Sequence, residues 1–140
     1  MRFLVDTNVL SELRKKRRCH PNVARWAAAT PAENLYTSVL VLGEIRQGIE
    51  RARRHDPDQA LVLDLWFRTV RSTFEGRILS IDDAAGEEWG RLNVPDPIPI
   101  IDGLLAATAR VHGLTVATRN VGDLARTGVE VFDPFNAVTT

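Results

Sequence analysis

The sequence predicts an α/β fold in which a central parallel sheet is covered by helices on both faces. Two observations predict it. Short apolar runs alternate with stretches of helical spacing along the 140 residues, the pattern of strand–helix–strand crossovers. The first run, Phe3-Leu4-Val5, is closed at once by Asp6-Thr7-Asn8, which reads as a buried strand passing directly into the capped first turn of a helix. With roughly 100–200 residues per domain as the prior, the length predicts a single domain, 1–140. No repeat, low-complexity tract or linker divides it.

The elements follow in order. Arg2 to Val5 is the first strand, and a helix opens after it. Pro21 to Ala29 has helical spacing, Asn34 to Tyr36 is a short strand, and Thr37 to Arg54 is a helix. Pro57 to Phe74 is a further helix, with Leu61, Leu65 and Trp66 expected on its inner face. Arg77 to Ile81 reads as a strand, and Asp82 to Asn93 as a helix with Trp89 turned inward. The three prolines between Val94 and Pro99 forbid a helix and mark a loop. Ile100 to His112 is then helical, with Gly113 as its stop. Leu114 to Ala117 is a strand, Asn120 to Arg126 a short helix and Val129 to Phe132 a last strand.

Composition narrows the function. Eighteen Lys+Arg balance 18 Asp+Glu, for a net charge of +0, so any attraction to nucleic acid must come from local clusters. One cysteine, Cys19, builds neither a disulfide nor a thiolate zinc site. Asp6 interrupts the only early apolar run, and no stretch has the roughly 20 apolar residues of a membrane span. A soluble cytoplasmic protein is expected.

In an open parallel sheet the functional crevice lies beyond the carboxyl ends of the strands. Asp6 falls there, as do Thr118-Arg119-Asn120 and, one turn on, Asp123. Taken singly, Asn8, Asn120 and Asp123 read as helix caps. Asp102 is different: Ile100 to Ala109 is apolar on nearly every face, and a buried carboxylate is costly unless capping, paired or cation-bound. Glu44 follows Val39-Leu40-Val41-Leu42-Gly43 and precedes Ile45, an acid at the junction of an apolar and a basic half-helix; alone, it reads as a solvated charge. Together, four carboxylates with neighbouring hydroxyl and amide oxygens form a hard, oxygen-rich set suited to Mg²⁺ or Mn²⁺. His20, His55 and His112 are not spaced as ligands.

Four stretches in order, Leu4 to Glu12, Ser38 to Gly48, Ile101 to Ala109, and Thr115 to Asn120 with Asp123, resemble the PIN-domain family and, within it, the VapC-type toxins of toxin–antitoxin pairs. The resemblance covers the whole chain. It implies a three-layer α/β/α fold and a metal-dependent endoribonuclease cutting RNA phosphodiesters. Carried over by position, Asp6, Glu44 and Asp102 would be metal-binding acids, Asp123 or Asn120 the fourth corner, and Thr7, Asn8 and Thr118 supporting oxygens. Some relatives have an aspartate where this chain has Asn120. Only a carboxylate adds negative charge, so Asp123 is the expected ligand and Asn120 the expected cap or outer support. The resemblance also implies a homodimer, a VapB-like antitoxin and, with it, a larger hetero-oligomer.

With no histidine base among the acids, water must be activated by metal coordination, which leaves a 3′-hydroxyl and a 5′-phosphate. The basic block Arg14 to Arg18 and Arg51, Arg53 and Arg54 are candidates for holding phosphate, with Arg46 and Arg119 expected nearer the acids. An aspartate-dependent phosphatase or phosphoacceptor domain is the alternative, since both place an aspartate after the first strand. The phosphatases need a second acid two residues later, where this chain has Asn8. A pure binding module ranks last.

Overall fold

A computed structural model describes residues 1–136. Five parallel strands run in the order β3-β2-β1-β4-β5: β1 (Phe3–Val5), β2 (Leu35–Ser38), β3 (Ile78–Leu79), β4 (Thr115–Ala117) and β5 (Val131–Phe132). All three residues of β1 and of β4 are buried, as a sheet covered on both faces requires. The strand order turns back between β1 and β4, so their carboxyl ends diverge into a crevice.

Seven helices connect the strands: α1 (Thr7–Leu13), α2 (Pro21–Ala29), α3 (Val39–His55), α4 (Pro57–Thr73), α5 (Asp83–Leu92), α6 (Ile100–His112) and α7 (Val121–Ala125). They pack in two groups, α1 to α4 and α5 to α7, the second built on α6. Beneath them Leu4, Val9, Val23, Val116 and Leu124 are fully buried. Phe3 and Trp26 meet edge to face at 5.2 Å, the preferred aromatic geometry. Gly113 closes α6 at φ +66°, a left-handed turn that a side chain would strain.

The structure moves several expected boundaries. Thr37 and Ser38 belong to β2, and Ser38 is the cap of α3, accepting from the Leu40 amide at 3.0 Å. The strand expected from Arg77 to Ile81 keeps two residues at the edge of the sheet, although the Arg77 carbonyl still accepts from the Thr37 amide of β2 at 3.0 Å. Single 3-10 turns at Lys16–Arg18 and Ala32–Asn34 were not anticipated. The inner face of α4 is Ala60, Phe67 and Val70; Leu61 and Leu65 are 59% and 63% exposed, with Trp66 only partly buried against the core. The helix carries more apolar residues than one stripe holds, so its phase is set by the neighbours it meets. Among the described residues, no helix is long and apolar enough to cross a membrane.

Candidate metal centre

The first strand is apolar until Asp6, whose backbone N–H still bonds the Ala117 carbonyl of β4 at 3.0 Å. Its side chain then caps α1, accepting from the Thr7 amide at 2.8 Å. Across the crevice, fully buried Thr118 donates its hydroxyl to Asp6 Oδ2 at 2.8 Å and accepts from Asn8 Nδ2 at 3.1 Å and from the Asn120 amide at 3.0 Å. One donation and two acceptances saturate a hydroxyl, so Thr118 holds Asp6 in the role of acceptor. Asn8 also accepts from the Arg119 amide at 3.1 Å. It is thus an amide strut between β1 and β4, at the position where the phosphatase alternative needs an acid.

The remaining acids come from helix starts. Glu44, on the second turn of α3, accepts from Thr7 Oγ1 at 2.5 Å, which ties α3 to the cap of α1. Asp102 stands in the first turn of α6, where Pro99 occupies the cap without a side-chain bond. Asp102 is therefore neither cap nor ion-pair partner. Its neighbour is Asn120, whose amide lies 3.5 Å from Asp102 Oδ2, at the outer limit of a hydrogen bond. The expected capping role of Asn120 is not seen, since its side chain makes no cap bond to α7. Asp123, in the first turn of α7, meets Arg126 at 3.4 Å. Arg126, which the sequence reading passed over, also donates to the Pro97 carbonyl at 3.2 Å; its i, i+3 spacing from Asp123 was the available signal.

Electrostatically the four acids are one group. Burial raises the pKa of Glu44, and the charges of Asp6 and Asp102 add to the rise against the Thr7 hydrogen bond. Burial likewise raises Asp102, reinforced by Asp6 and Asp123. Among the described residues, no ion pair involves Asp6, Glu44 or Asp102. Among the described residues, no three His, Cys, Asp or Glu side chains lie together as a group that could hold a metal ion. Asp6, Glu44 and Asp102, held by hydroxyl and amide N–H donors and without an ion-pair partner, have the chemistry of an incomplete oxygen-ligand set, which a hard divalent ion would fit only with water or substrate oxygens added.

The expected phosphate-holding cations lie elsewhere. Arg46 pairs with Glu50 at 3.2 Å and Asp64 at 3.3 Å and stacks on Phe67, facing α4. The block Arg14 to Arg18 follows the far end of α1, and Arg51 sits about 10 Å along α3 from Glu44 at 1.5 Å per residue. Arg119 reaches Asn8 with its backbone amide, while its guanidinium rests 4.5 Å above the Phe135 ring.

The all-parallel sheet between helices, with Asp6 beside the point where its strand order reverses, defines a three-layer α/β/α class, and the chain belongs to the PIN-domain family, whose profile matches residues 3–130. Two curated relatives span nearly the whole chain. It is 32% identical to Toxin FitB of Neisseria gonorrhoeae, covering 96% of this chain and 99% of that one. It is 30% identical to VapC ribonuclease Y4jK of Sinorhizobium fredii, covering 95% and 97%. The solved structure of FitAcB from Neisseria gonorrhoeae superposes with a TM-score of 0.86 at 30% identity, over 96% of this chain and 99% of that one.

Proposed function

We propose that the chain is the toxin of a type II toxin–antitoxin pair, acting as a Mg²⁺-dependent endoribonuclease in which Mn²⁺ can substitute. One observation carries the reading: Asp6, Glu44 and Asp102 raise one another's charge cost beside the topological switch point, and none of the three has a cationic partner among the described residues. The names of the relatives FitB and Y4jK, a toxin and a ribonuclease, support it.

Asp6, Glu44, Asp102 and Asp123 would hold the metal, with Thr7, Asn8, Thr118 and Asn120 behind them. A bound divalent ion would supply Lewis acidity toward water and toward the phosphodiester oxygens. The chain's own residues do the rest. Thr118 and Asn8 hold Asp6 between β1 and β4, Thr7 restrains Glu44, and the Arg119 amide fixes Asn8. An RNA substrate would place the activity in the cytoplasm.

A homodimer and a VapB-like antitoxin complete the proposal. An open apolar groove of about 550 Å³ between α1 and α4, lined by Leu10, Leu13, Val62, Leu65 and Trp66 with Arg14 and Lys16 at its border, supports a partner that presents an apolar helix with acidic flanks.

Purified protein with Mg²⁺ is expected to cut single-stranded RNA, to stop in excess EDTA and to resume when metal is restored. Undiminished cleavage in EDTA, or full activity in Asp6→Asn, overturns the proposal.

A further inference from the structure

Asp102 is followed directly by Gly103, and the glycine is required by contact rather than by backbone conformation. A Cβ built there would stand 3.1 Å from Trp89 Cδ1 and 3.2 Å from Trp89 Nε1, closer than side chains ordinarily approach. The Cδ1–Nε1 edge of the α5 indole therefore abuts the first turn of α6, one residue from the acid. Trp89 Nε1 is buried there with no hydrogen-bond partner among the described residues. A buried orphan donor is unfavourable, so hydrogen bonding does not account for a tryptophan here; close packing against the glycine does.

A second contact fixes the same turn. Asn93, the C-cap of α5, donates from Nδ2 to the Trp89 carbonyl at 2.8 Å and accepts at Oδ1 from the Ile98 amide at 3.1 Å. It clamps the end of α5 to the proline loop that enters α6. The Gly103 amide in turn bonds the Pro99 carbonyl at 2.8 Å. Asp102 has no cap bond and no ion pair of its own, so the location of its carboxylate is left to the depth and pitch of this turn.

We infer that Trp89 and Asn93 are positioning residues for Asp102: the indole seated on Gly103 and the Asn93 clamp set how far the first turn of α6 advances toward Asp6 and Asp123. The inference rests on the reading of Asp102 as a metal ligand.

A double-mutant cycle read by Mn²⁺ calorimetry tests it, with thermal unfolding of the metal-free proteins alongside. Gly103→Ala crowds the indole by a few tenths of an ångström, and on the inference that this shifts the first turn of α6, about tenfold weaker Mn²⁺ binding is expected, the usual size of a lost supporting contact. Trp89→Val removes both colliding atoms. In the Gly103→Ala/Trp89→Val protein, Mn²⁺ affinity is expected to return to within threefold of the Trp89→Val protein, whatever the unfolding temperatures do. Asn93→Ala should weaken binding while Asn93→Asp, which keeps the acceptor for the Ile98 amide, recovers most of it. Gly103→Ala binding Mn²⁺ as wild type overturns the inference. So does affinity that follows unfolding temperature across all variants with no rescue in the double variant. If wild-type protein binds no Mn²⁺, the metal-site reading itself fails, and the inference falls with it.

Discussion

The two edges of the sheet treat charge in opposite ways. At the amino edge three arginines each have partners. Arg2 donates to the His112 carbonyl at 3.0 Å, Arg77 to the carbonyls of Ala32, of Leu35 at the start of β2 and of Thr73 at the end of α4, and Arg110 to the Thr127 carbonyl while pairing with Glu88 at 3.0 Å. At the carboxyl edge Asp6, Glu44 and Asp102 receive only neutral donors. The consequence appears in the acids themselves. Paired Glu12, bonded to Lys15 and to the His20 amide, is lowered in pKa, whereas Glu44 and Asp102 are raised by burial and by one another. Charges with partners hold the fold together; charges left without them leave binding capacity at a cost in stability.

The largest effect should come from neutralising one unpartnered acid. Asp102→Asn is expected to lower RNA cleavage about a hundredfold or more, the scale of losing one electrostatic stabiliser. Because the ionised form of Asp102 is disfavoured in the folded state, the same change should leave thermal stability equal or slightly higher. A parallel loss of stability would break the contrast between the edges. Arg77→Ala should behave in the reverse way. Losing three carbonyl acceptors is expected to cost about 2 kcal/mol by chemical denaturation, with cleavage per folded molecule unchanged.

Asp123→Asn should weaken Mn²⁺ binding about tenfold. Asn120→Ala should do so much less and should barely move the melting temperature, because Asn120 makes no cap bond. Equal losses in the two variants would assign the fourth corner jointly. The smallest effect concerns Glu12. A carboxyl whose pKa is lower folded than unfolded contributes stability that is present above the ordinary glutamate range and lost as pH falls through the folded value. Glu12→Gln should therefore flatten the acid limb of a stability–pH curve and leave cleavage untouched.

Much of this was legible in the sequence because the fold is written in local signals. The run Phe3-Leu4-Val5 before Asp6, the three prolines after Val94 and Gly113 after the apolar helix each have one physical reading. Asp6 and Asp123 stood out by their places after strand ends, Asp102 by its apolar helix, and Glu44 through the family resemblance. Features decided by long-range packing were not. Leu61 and Leu65 looked inward on spacing alone, yet Ala60, Phe67 and Val70 face the core. Arg46 looked near the acids by sequence distance, but a helix turns two residues by about 200°, and it faces Asp64 instead. Asn120 had the sequence of a cap, while its amide lies toward Asp102 across the crevice. The Trp89–Gly103 contact joins residues fourteen apart, and nothing in either local sequence announces it.

The central claim, that the unpartnered acids work through a divalent ion on RNA, is tested most directly by the ends of the cleaved product. Single-stranded RNA cut by the purified protein with Mg²⁺ should carry a 5′-phosphate and a 3′-hydroxyl, and none should form once EDTA is in excess. A 2′,3′-cyclic phosphate with a 5′-hydroxyl, formed equally with and without EDTA, would contradict it.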